Sequence, residues 1–169
     1  MAASPFPAPK VIGTENPATS YTDRHAVRVV TFNANGEVAI IYAKRDNYYK
    51  LPGGGIDPEE DHETAVKREF QEETGGLIKL RSNVCVATTK EFRNDLRQVS
   101  YCYVADLVDD SGKPALTEDE IGDGLGHSWV SIEEAMRVMT AAEPTSELGR
   151  FIRERDIYLL DEAAKRGGQ

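Results

Sequence analysis

The sequence is poor in cysteine and aromatic residues, and it has no long hydrophobic run. Its 169 residues include two cysteines, Cys85 and Cys102, and 8% Phe, Trp and Tyr together. Two isolated cysteines exclude a disulfide-rich scaffold and a cysteine-based zinc site, and they fit a reducing compartment. No apolar run reaches the about 20 residues of a membrane-spanning helix, and the N-terminus lacks the apolar core of a signal peptide. We therefore expect a cytoplasmic protein with no membrane partner.

Basic residues are also few: 20 Lys and Arg stand against 29 Asp and Glu, which gives a formal net charge of −9. This negative charge argues against a nucleic-acid polymer as the partner, because the phosphate backbone of a nucleic acid would repel an acidic protein. Most of the excess lies in residues 57–73, which hold eight acidic residues and two basic ones. The acidic eight are Asp57, Glu59, Glu60, Asp61, Glu63, Glu69, Glu72 and Glu73. Such a cluster is either a solvated face or a cation site.

The length fits one domain with an extension at each end. Residues 1–22 are rich in Pro, Ala, Ser and Thr and show no periodicity, which predicts a flexible N-terminal arm. Residues 23–143 are expected to form the main domain. Residues 144–169 are predicted to form a C-terminal helix, over about 146–165, and a tail packed on the domain, because apolar residues recur on one helical face.

The main domain mixes strand and helix signals. Alternation at 24–33 predicts a strand, and Asn35-Gly36 predicts a hairpin turn after it. We expect loops over 46–61, because Pro and Gly interrupt regular structure there. Good helix formers over about 62–74 predict a helix, and alternating strands follow it. This order predicts an α/β fold with helices packed around a mixed sheet.

Three glutamates, Glu69, Glu72 and Glu73, stand at positions i, i+3 and i+4 of that helix, which Asp61 is expected to cap and Gly75 to end. Their Cβ atoms would lie about 5–6 Å apart on one helical face, where like charges repel. A divalent cation would offset this repulsion: Mg²⁺ binds carboxylates and water and completes its shell with substrate phosphate oxygens. The alternative for such a face by itself is a solvated surface without function.

The residues around these glutamates favour the cation site. Gly53, Gly54 and Gly55 permit close approach of the backbone, and they precede a helix N-terminus whose N–H groups favour anions. Arg68 has a planar donor group that can hold a carboxylate in one orientation. Together these residues indicate a metal-assisted phosphate site.

The complete motif is Gly54-x5-Glu60-x7-Arg68-Glu69-Phe70-x-Glu72-Glu73-x-Gly75. It closely resembles the Nudix box, the signature of hydrolases that act on nucleoside diphosphates linked to another moiety. All seven fixed Gly, Glu and Arg positions match, and average residue usage gives a chance match of about 10⁻⁸ to 10⁻⁹ per starting position. There are two departures, because Phe70 replaces an aliphatic residue and Gly76 occupies the final aliphatic position. Neither departure changes a charge.

The resemblance implies a pyrophosphohydrolase with a Nudix-type α/β/α sandwich around a mixed β-sheet and a C-terminal helix. It also implies Mg²⁺, or alternatively Mn²⁺, at the positions that match the metal site of the family. These are Glu69, Glu72, Glu73, Gly54 and Glu60. Arg68 resembles the arginine that orients the glutamates, and Glu60 resembles the outer carboxylate that tunes the site.

A carboxylate must take the proton of the attacking water. Glu72 or Glu73 could do so, and so could an acid from a distant loop, because the base varies within the family. The acidic loop before the 126–131 strand offers Glu118 and Glu120. The predicted catalytic residues are therefore Glu72, Glu73, Arg68, Glu118 and Glu120.

Residues outside the box would bind the rest of an anionic, pyrophosphate-containing small molecule. Tyr49 could stack on a base, and Lys50 could contact a phosphate. Arg28 in the first strand would steer an anion, as would Arg93 and Arg97 beside a predicted loop. Ordinary packing or solvation is the alternative for each of these side chains.

Two substrate classes stay open. One is a nucleoside-diphosphate-linked compound, such as an oxidised or ordinary nucleoside triphosphate, a dinucleoside polyphosphate or a nucleotide sugar. The other is a diphosphoinositol polyphosphate, because PGGGIDPEE at 52–60 resembles the PGGGxxPEE run of diphosphoinositol polyphosphate phosphohydrolases. A lesser alternative is a non-catalytic Nudix-fold binding module, although every box glutamate is present. A homodimer is also left open.

Overall fold

The computed structural model of the protein describes residues 4–166. Within this range the chain forms nine strands and four helices. In chain order they are β1 (Lys10–Ile12), β2 (Thr22–Phe32), β3 (Val38–Ala43), β4 (Tyr48–Lys50), β5 (Gly53–Gly55), α1 (His62–Thr74), β6 (Leu77–Leu80), β7 (Ala87–Arg93), β8 (Leu96–Asp109), α2 (Glu118–Gly122), β9 (Leu125–Val130), α3 (Ile132–Ala141) and α4 (Glu147–Arg166). No helix in this range is long and apolar enough to cross a membrane.

The strands form one mixed sheet with β2 near its centre. Along the sheet the order is β1-β7-β8-β2-β3-β4, and β5, β6 and β9 pair with β2, β8 and β3 respectively. β2 runs parallel to β8 over Thr22–Phe32 and antiparallel to the short β5 over Ala26–Arg28. This pairing places the glycine strand beside the middle of the sheet.

Helices cover both faces of the sheet. On one face, Val27 and Val29 of β2 pack in a core with Phe70 of α1. On the other face, Val30 of β2 packs in a second core with Leu159 of α4, and α3 completes that layer. Side chains alternate between the two faces of a strand, so β2 supplies both cores. The predicted α/β/α sandwich around a mixed sheet is confirmed.

The box helix α1 has the bounds that the sequence predicts. The Asp61 side chain accepts a 2.8 Å hydrogen bond from the Thr64 N–H at its start. Gly75 ends the helix in the left-handed region with φ 83°, and its N–H donates to the Gln71 carbonyl. A Cβ at Gly75 would lie 2.5 Å from the Gly112 carbonyl oxygen. Both the left-handed backbone conformation and this close approach therefore require glycine at position 75.

The two departures from the box compensate each other. Phe70 is fully buried, and a Cβ at Gly76 would lie 2.6 Å from its ring carbon Cε2. The larger ring at position 70 therefore uses the space that a side chain at position 76 would need.

Some segments predicted to be loops have regular structure. Residues 46–61 contain β4, which pairs with β3, and β5, which pairs with β2. The acidic segment before β9 contains the short helix α2, where the side chains of Thr117 and Glu120 cap each other's backbone N–H groups. β4 forms a short hairpin with β3, and β5 pairs with the more distant β2; local propensity reveals neither pairing.

The N-terminal segment is docked on the domain over part of its length, which differs from the expected flexible arm. β1 runs parallel to β7 and buries Ile12. The Phe6 ring lies 4.8 Å from that of Tyr101, and the Thr88 hydroxyl donates a 2.7 Å bond to the Pro7 carbonyl. Pairing of β1 with β7 therefore orders a segment whose own sequence shows no periodicity. Residues 1–3 of the predicted arm and 167–169 of the predicted tail lie outside the described residues.

Candidate active site

The glycine strand β5 brings two box glutamates against its backbone. The Gly53 N–H donates a 2.7 Å hydrogen bond to Oε1 of Glu73. A Cβ at Gly54 would lie 2.5 Å from the carboxylate carbon of Glu69, so the side chain of Glu69 fits there only because Gly54 has none. Glu69 and Glu73, one helical turn apart on α1, therefore face the same short stretch of backbone.

Glu73 is a buried carboxylate that lacks a full set of partners. It is 3% exposed, and its Oε2 has no hydrogen-bond partner. Lys50 Nζ lies 3.4 Å from that oxygen. Burial raises the pKa of the Glu73 carboxyl to about 7. A buried carboxylate oxygen without a hydrogen bond is costly in a folded protein. The Lys50 ammonium offsets part of that cost, and a bound metal ion would supply the contact that is missing. The donor set at Glu73 thus fits a metal ion.

Arg68 holds the remaining carboxylates in orientation. Its guanidinium donates two hydrogen bonds to Glu60, of 2.7 Å and 2.9 Å. It also contacts Glu69 at 3.0 Å and Glu72 at 3.4 Å, and it donates to the Gly55 carbonyl at 3.0 Å. The Glu60 hydrogen bonds raise the pKa of Arg68, and the same contact lowers the pKa of Glu60. Arg68 therefore links Glu60 to the helix glutamates Glu69 and Glu72.

The three helix glutamates differ in exposure. The side chain of Glu69 is 14% exposed and that of Glu72 is 39% exposed, whereas that of Glu73 is 1% exposed. Burial also raises the pKa of Glu69, although Arg68 partly offsets it. Glu69 and Glu73 thus form the inner part of the site, and Glu72 lies at its opening.

No group of three or more His, Cys, Asp or Glu side chains within residues 4–166 is arranged as a preformed metal site. The contacts above give the physical reason. Arg68 occupies oxygens of Glu69 and Glu72, and Glu73 uses one oxygen for the Gly53 N–H.

A small cleft of about 220 Å³ lies over these glutamates. Its lining residues are Arg24, Arg28, Lys50, Gly53, Gly54, Gly55, Glu69, Glu72, Thr117 and Glu120. Arg28 is 5% exposed, and its Nε and Nη1 atoms have no hydrogen-bond partner. Burial lowers the pKa of Arg28 to about 10. The carboxylates of Asp156 and Glu73 act on this guanidinium without a hydrogen bond to Nε or Nη1, so these two nitrogens lack an acceptor that an anion in the cleft would supply.

Of the predicted substrate contacts, the structure brings Arg28 and Lys50 to the cleft. Tyr49 instead packs with its ring 4.5 Å from that of Tyr42. Arg93 lies 4.0 Å from the buried Glu91, and Arg97 forms a 2.6 Å ion pair with Asp23. Tyr49, Arg93 and Arg97 do not line this cleft.

Of the two acids offered from outside the box, Glu120 lines the cleft and Glu118 does not. Oε1 of Glu120 accepts a 2.9 Å hydrogen bond from the Thr117 N–H within the capping box of α2. The segment before α2 is tied to the box helix, because the Ala115 N–H donates a 2.7 Å bond to the Glu72 carbonyl. Thr117 also lines the cleft, and no local pattern in the sequence marks it.

A larger groove of about 790 Å³ borders the same site and shares Arg24, Gly55 and Glu69 with the small cleft. Its remaining lining residues are Asp23, His25, Ile56, Asp57, Pro58, Glu59, Glu60 and His62. The small cleft is thus lined by three basic and three acidic residues, whereas the larger groove is lined by five acidic residues and one arginine.

Comparison with named proteins gives two curated relatives with similar coverage. Diphosphoinositol polyphosphate phosphohydrolase 3-alpha of Mus musculus is 30% identical over 109 residues, which cover 64% of this chain and 63% of that protein. Diphosphoinositol polyphosphate phosphohydrolase 3-beta of Homo sapiens is 29% identical with the same coverage. The matched region thus spans less than two thirds of these relatives.

Solved structures share the fold. The solution structure of the E. coli ORF135 protein has a TM-score of 0.60 at 17% identity and covers 90% of this chain and 97% of that one. The MutT protein from Methanosarcina mazei has a TM-score of 0.58 at 18% identity, with coverage of 88% and 100%. The model of the NUDIX domain family matches residues 22–152. The box resemblance is confirmed, and this chain belongs to the NUDIX family.

Proposed function

We propose that the protein is a Mg²⁺-dependent pyrophosphohydrolase that cleaves a P–O–P bond with water. The observation that carries the proposal is the buried Oε2 of Glu73, which has no hydrogen-bond partner and only the Lys50 ammonium 3.4 Å away. It lies next to a cleft lined by Glu69, Arg28 and Lys50. A cation site adjoining an anion site is the arrangement that phosphoryl transfer needs.

Glu69 and Glu73 would hold the metal ion, with Mn²⁺ as an alternative to Mg²⁺. Both carboxylates lie against the β5 backbone, and Gly54 leaves room for Glu69 there. When bound, the metal ion lowers the pKa of water and neutralises charge on phosphate oxygens. Arg68 keeps Glu69 and Glu72 oriented, and Glu60 holds Arg68 from the other side.

Glu72 is the proposed general base. It is the most exposed of the three helix glutamates, and it lines the cleft beside the two inner carboxylates. A base at this place can take a proton from water that enters the opening. Glu120 is the second choice, because its carboxylate already accepts the Thr117 N–H, and Glu118 lies outside the cleft lining.

Arg28, Arg24 and Lys50 would bind the phosphate groups. The free donors of Arg28 support this role most directly, since a guanidinium matches phosphate oxygens in geometry and charge.

The charge pattern favours a nucleoside-diphosphate-linked substrate. Five carboxylates line the larger groove, against one arginine. They are Asp23, Asp57, Glu59, Glu60 and Glu69. Four of these carboxylates are paired with Arg68 or Arg97, so the groove offers further phosphates only the Arg24 guanidinium. Such a surface accepts hydroxyl groups or a neutral ring, as in a ribose, sugar or base.

A diphosphoinositol polyphosphate is the second candidate. It is favoured by the names of the relatives at about 30% identity and by the PGGGIDPEE run at 52–60. This substrate would need many basic residues around the site. In the structure Arg97 is paired with Asp23 and Arg45 lies 3.6 Å from Asp123, so neither is free for that purpose.

A non-catalytic binding module remains the lesser alternative. A homodimer and a cytoplasmic location stay predictions from the sequence, as does the absence of a nucleic-acid polymer or membrane as partner.

The test is a substrate panel with purified protein and Mg²⁺. The panel holds nucleoside triphosphates with ordinary and oxidised guanine, a dinucleoside polyphosphate, a nucleotide sugar and a diphosphoinositol polyphosphate, with products separated by chromatography. We expect selective release of a nucleoside monophosphate from one nucleotide class. Inorganic phosphate from the inositol compound alone would establish the second candidate. No cleavage of any compound, with Mg²⁺ still bound, would overturn the hydrolase proposal and favour the binding module.

A further inference from the structure

We propose that Asp156, in the C-terminal helix α4, is a positioning residue for the metal-binding carboxylate Glu73 and acts through the backbone of 51–53. This inference rests on the proposed function of the cleft, because it assigns Glu73 to the metal ion. It extends the functional unit from the box to a helix that begins more than 70 residues after Glu73.

The strand segment before the box is fixed at three consecutive residues by three different elements. Oδ2 of Asp156 accepts a 2.9 Å hydrogen bond from the Leu51 N–H. The Pro52 carbonyl accepts a 3.0 Å bond from the Val29 N–H of β2. The Gly53 N–H then donates its 2.7 Å bond to Glu73. Because Pro52 has no N–H and a restricted φ, the orientation of Leu51 is transmitted to Gly53.

Asp156 is itself held in place. It is fully buried, and its Oδ1 accepts a 2.7 Å bond from Nε of Arg155. Nη1 of Arg155 lies 3.1 Å from Oε1 of Glu91 on β7, and both of these residues are also buried. The carboxylate of Asp156 is thus fixed between α4, β7 and the backbone at Leu51.

The helix α4 also packs closely against β4. A Cβ at Gly149 would lie 2.8 Å from the Tyr48 ring, and Ile152 packs with Tyr48 in a small core. β4 leads directly into Leu51, so a shift of α4 would move the segment that carries Gly53.

Packing alone does not require a carboxylate at position 156. Leu159 and Leu160 already bury the apolar side of α4. Buried ions are costly to desolvate, and apolar residues of similar size would pack as well. What the carboxylate adds is an acceptor for the Leu51 N–H at a place where an apolar residue would leave that donor unpaired.

The test compares Asp156→Ala with Leu160→Ala in the full chain. Leu160 is buried on the same helix, so its truncation removes apolar packing but keeps the Asp156 hydrogen bond that holds Leu51. Mn²⁺ affinity would be measured by calorimetry at a temperature where both variants are folded. Hydrogen exchange of the Leu51 and Gly53 amides would be followed by NMR, with the Val29 amide as the reference. The values of kcat and KM would be measured separately.

We expect Asp156→Ala to weaken Mn²⁺ binding about 10- to 100-fold, the usual loss for a residue that supports a metal ligand. Exchange at Leu51 and Gly53 should accelerate, and kcat should fall more than KM changes. Leu160→Ala should lower Tm but leave Mn²⁺ affinity and these two amides unchanged. Asp156→Asn, which keeps an acceptor oxygen, should recover part of the Mn²⁺ affinity.

Wild-type Mn²⁺ affinity and amide exchange in folded Asp156→Ala would overturn the inference. If Asp156→Ala does not fold, the triple variant of Glu91→Gln, Arg155→Met and Asp156→Leu replaces all three buried ions by uncharged residues and carries the same expectation. Failure of the wild-type protein to cleave any substrate would instead count against the proposed function. The Mn²⁺ and exchange measurements decide the role of Asp156 in that case too.

Discussion

The ring of Phe70 fills the space that a side chain at Gly76 would occupy, with 2.6 Å between Phe70 Cε2 and an added Cβ. Both residues depart from the Nudix box, and together they keep the end of α1 packed against the sheet. A residue that is too large at one position is thus matched by one that is too small at the other.

This compensation predicts a coupling between the two sites. Gly76→Ala should destabilise the protein, because overpacking a filled core costs about 1–3 kcal/mol. In a Phe70→Leu background the same change should cost less, with an interaction free energy of about 0.5–3 kcal/mol. Denaturant unfolding of the wild type, both single variants and the double variant measures this. Additive free energies would contradict the compensation.

Glu72→Gln should abolish most hydrolysis without unfolding the protein. The side chain is partly exposed at the opening of the site, so its replacement disturbs little packing. Loss of a general base lowers kcat by about 10²- to 10⁴-fold. The measurement is steady-state kinetics at saturating Mg²⁺. Glu63→Gln is the matched control, since Glu63 pairs with Lys67 on the exposed side of the same helix. A kcat for Glu72→Gln equal to that of the control would remove Glu72 from the base assignment.

Gly54→Ala should impair the site more than the fold. The added Cβ would lie 2.5 Å from the Glu69 carboxylate and would displace it. We expect a loss of Mg²⁺-dependent activity of at least about tenfold, because supporting contacts of metal ligands are typically worth 10- to 100-fold. Gly126→Ala in β9 is the control, since nothing lies within 4 Å of a Cβ there. Full activity in Gly54→Ala would show that Glu69 need not lie against this backbone.

Arg28→Met should separate substrate binding from stability. The buried guanidinium has two unpartnered nitrogens, so an apolar side chain of similar length should leave the free energy of unfolding unchanged or raise it. The same change should lower kcat/KM at least about tenfold, through the loss of a charged hydrogen bond to phosphate worth about 1.5–3 kcal/mol. Kinetics and denaturant unfolding would be run in parallel.

Arg137→Met serves as the comparison for Arg28→Met, because Arg137 forms an exposed ion pair with Glu134 on α3. An unchanged kcat/KM in folded Arg28→Met would mean that this guanidinium does not meet the substrate.

The family, the box helix and the two-sided core can all be predicted from the amino-acid sequence. The bounds of α1 follow from Asp61 and Gly75, whose capping acts within four residues along the chain. The face shared by Glu69 and Glu73 follows from helical periodicity. These are local signals, and local physics suffices to predict them.

The tertiary structure decided which residues meet at the site. Arg28 and Tyr49 were equal as candidate substrate contacts, yet the sheet places Arg28 under the cleft and packs Tyr49 on Tyr42. The strand β5 and the docked β1 depend on partners far along the chain, as does the Asp156 bond to Leu51. No local pattern encodes such pairings, because their free energy arises only when distant segments are brought together by the fold.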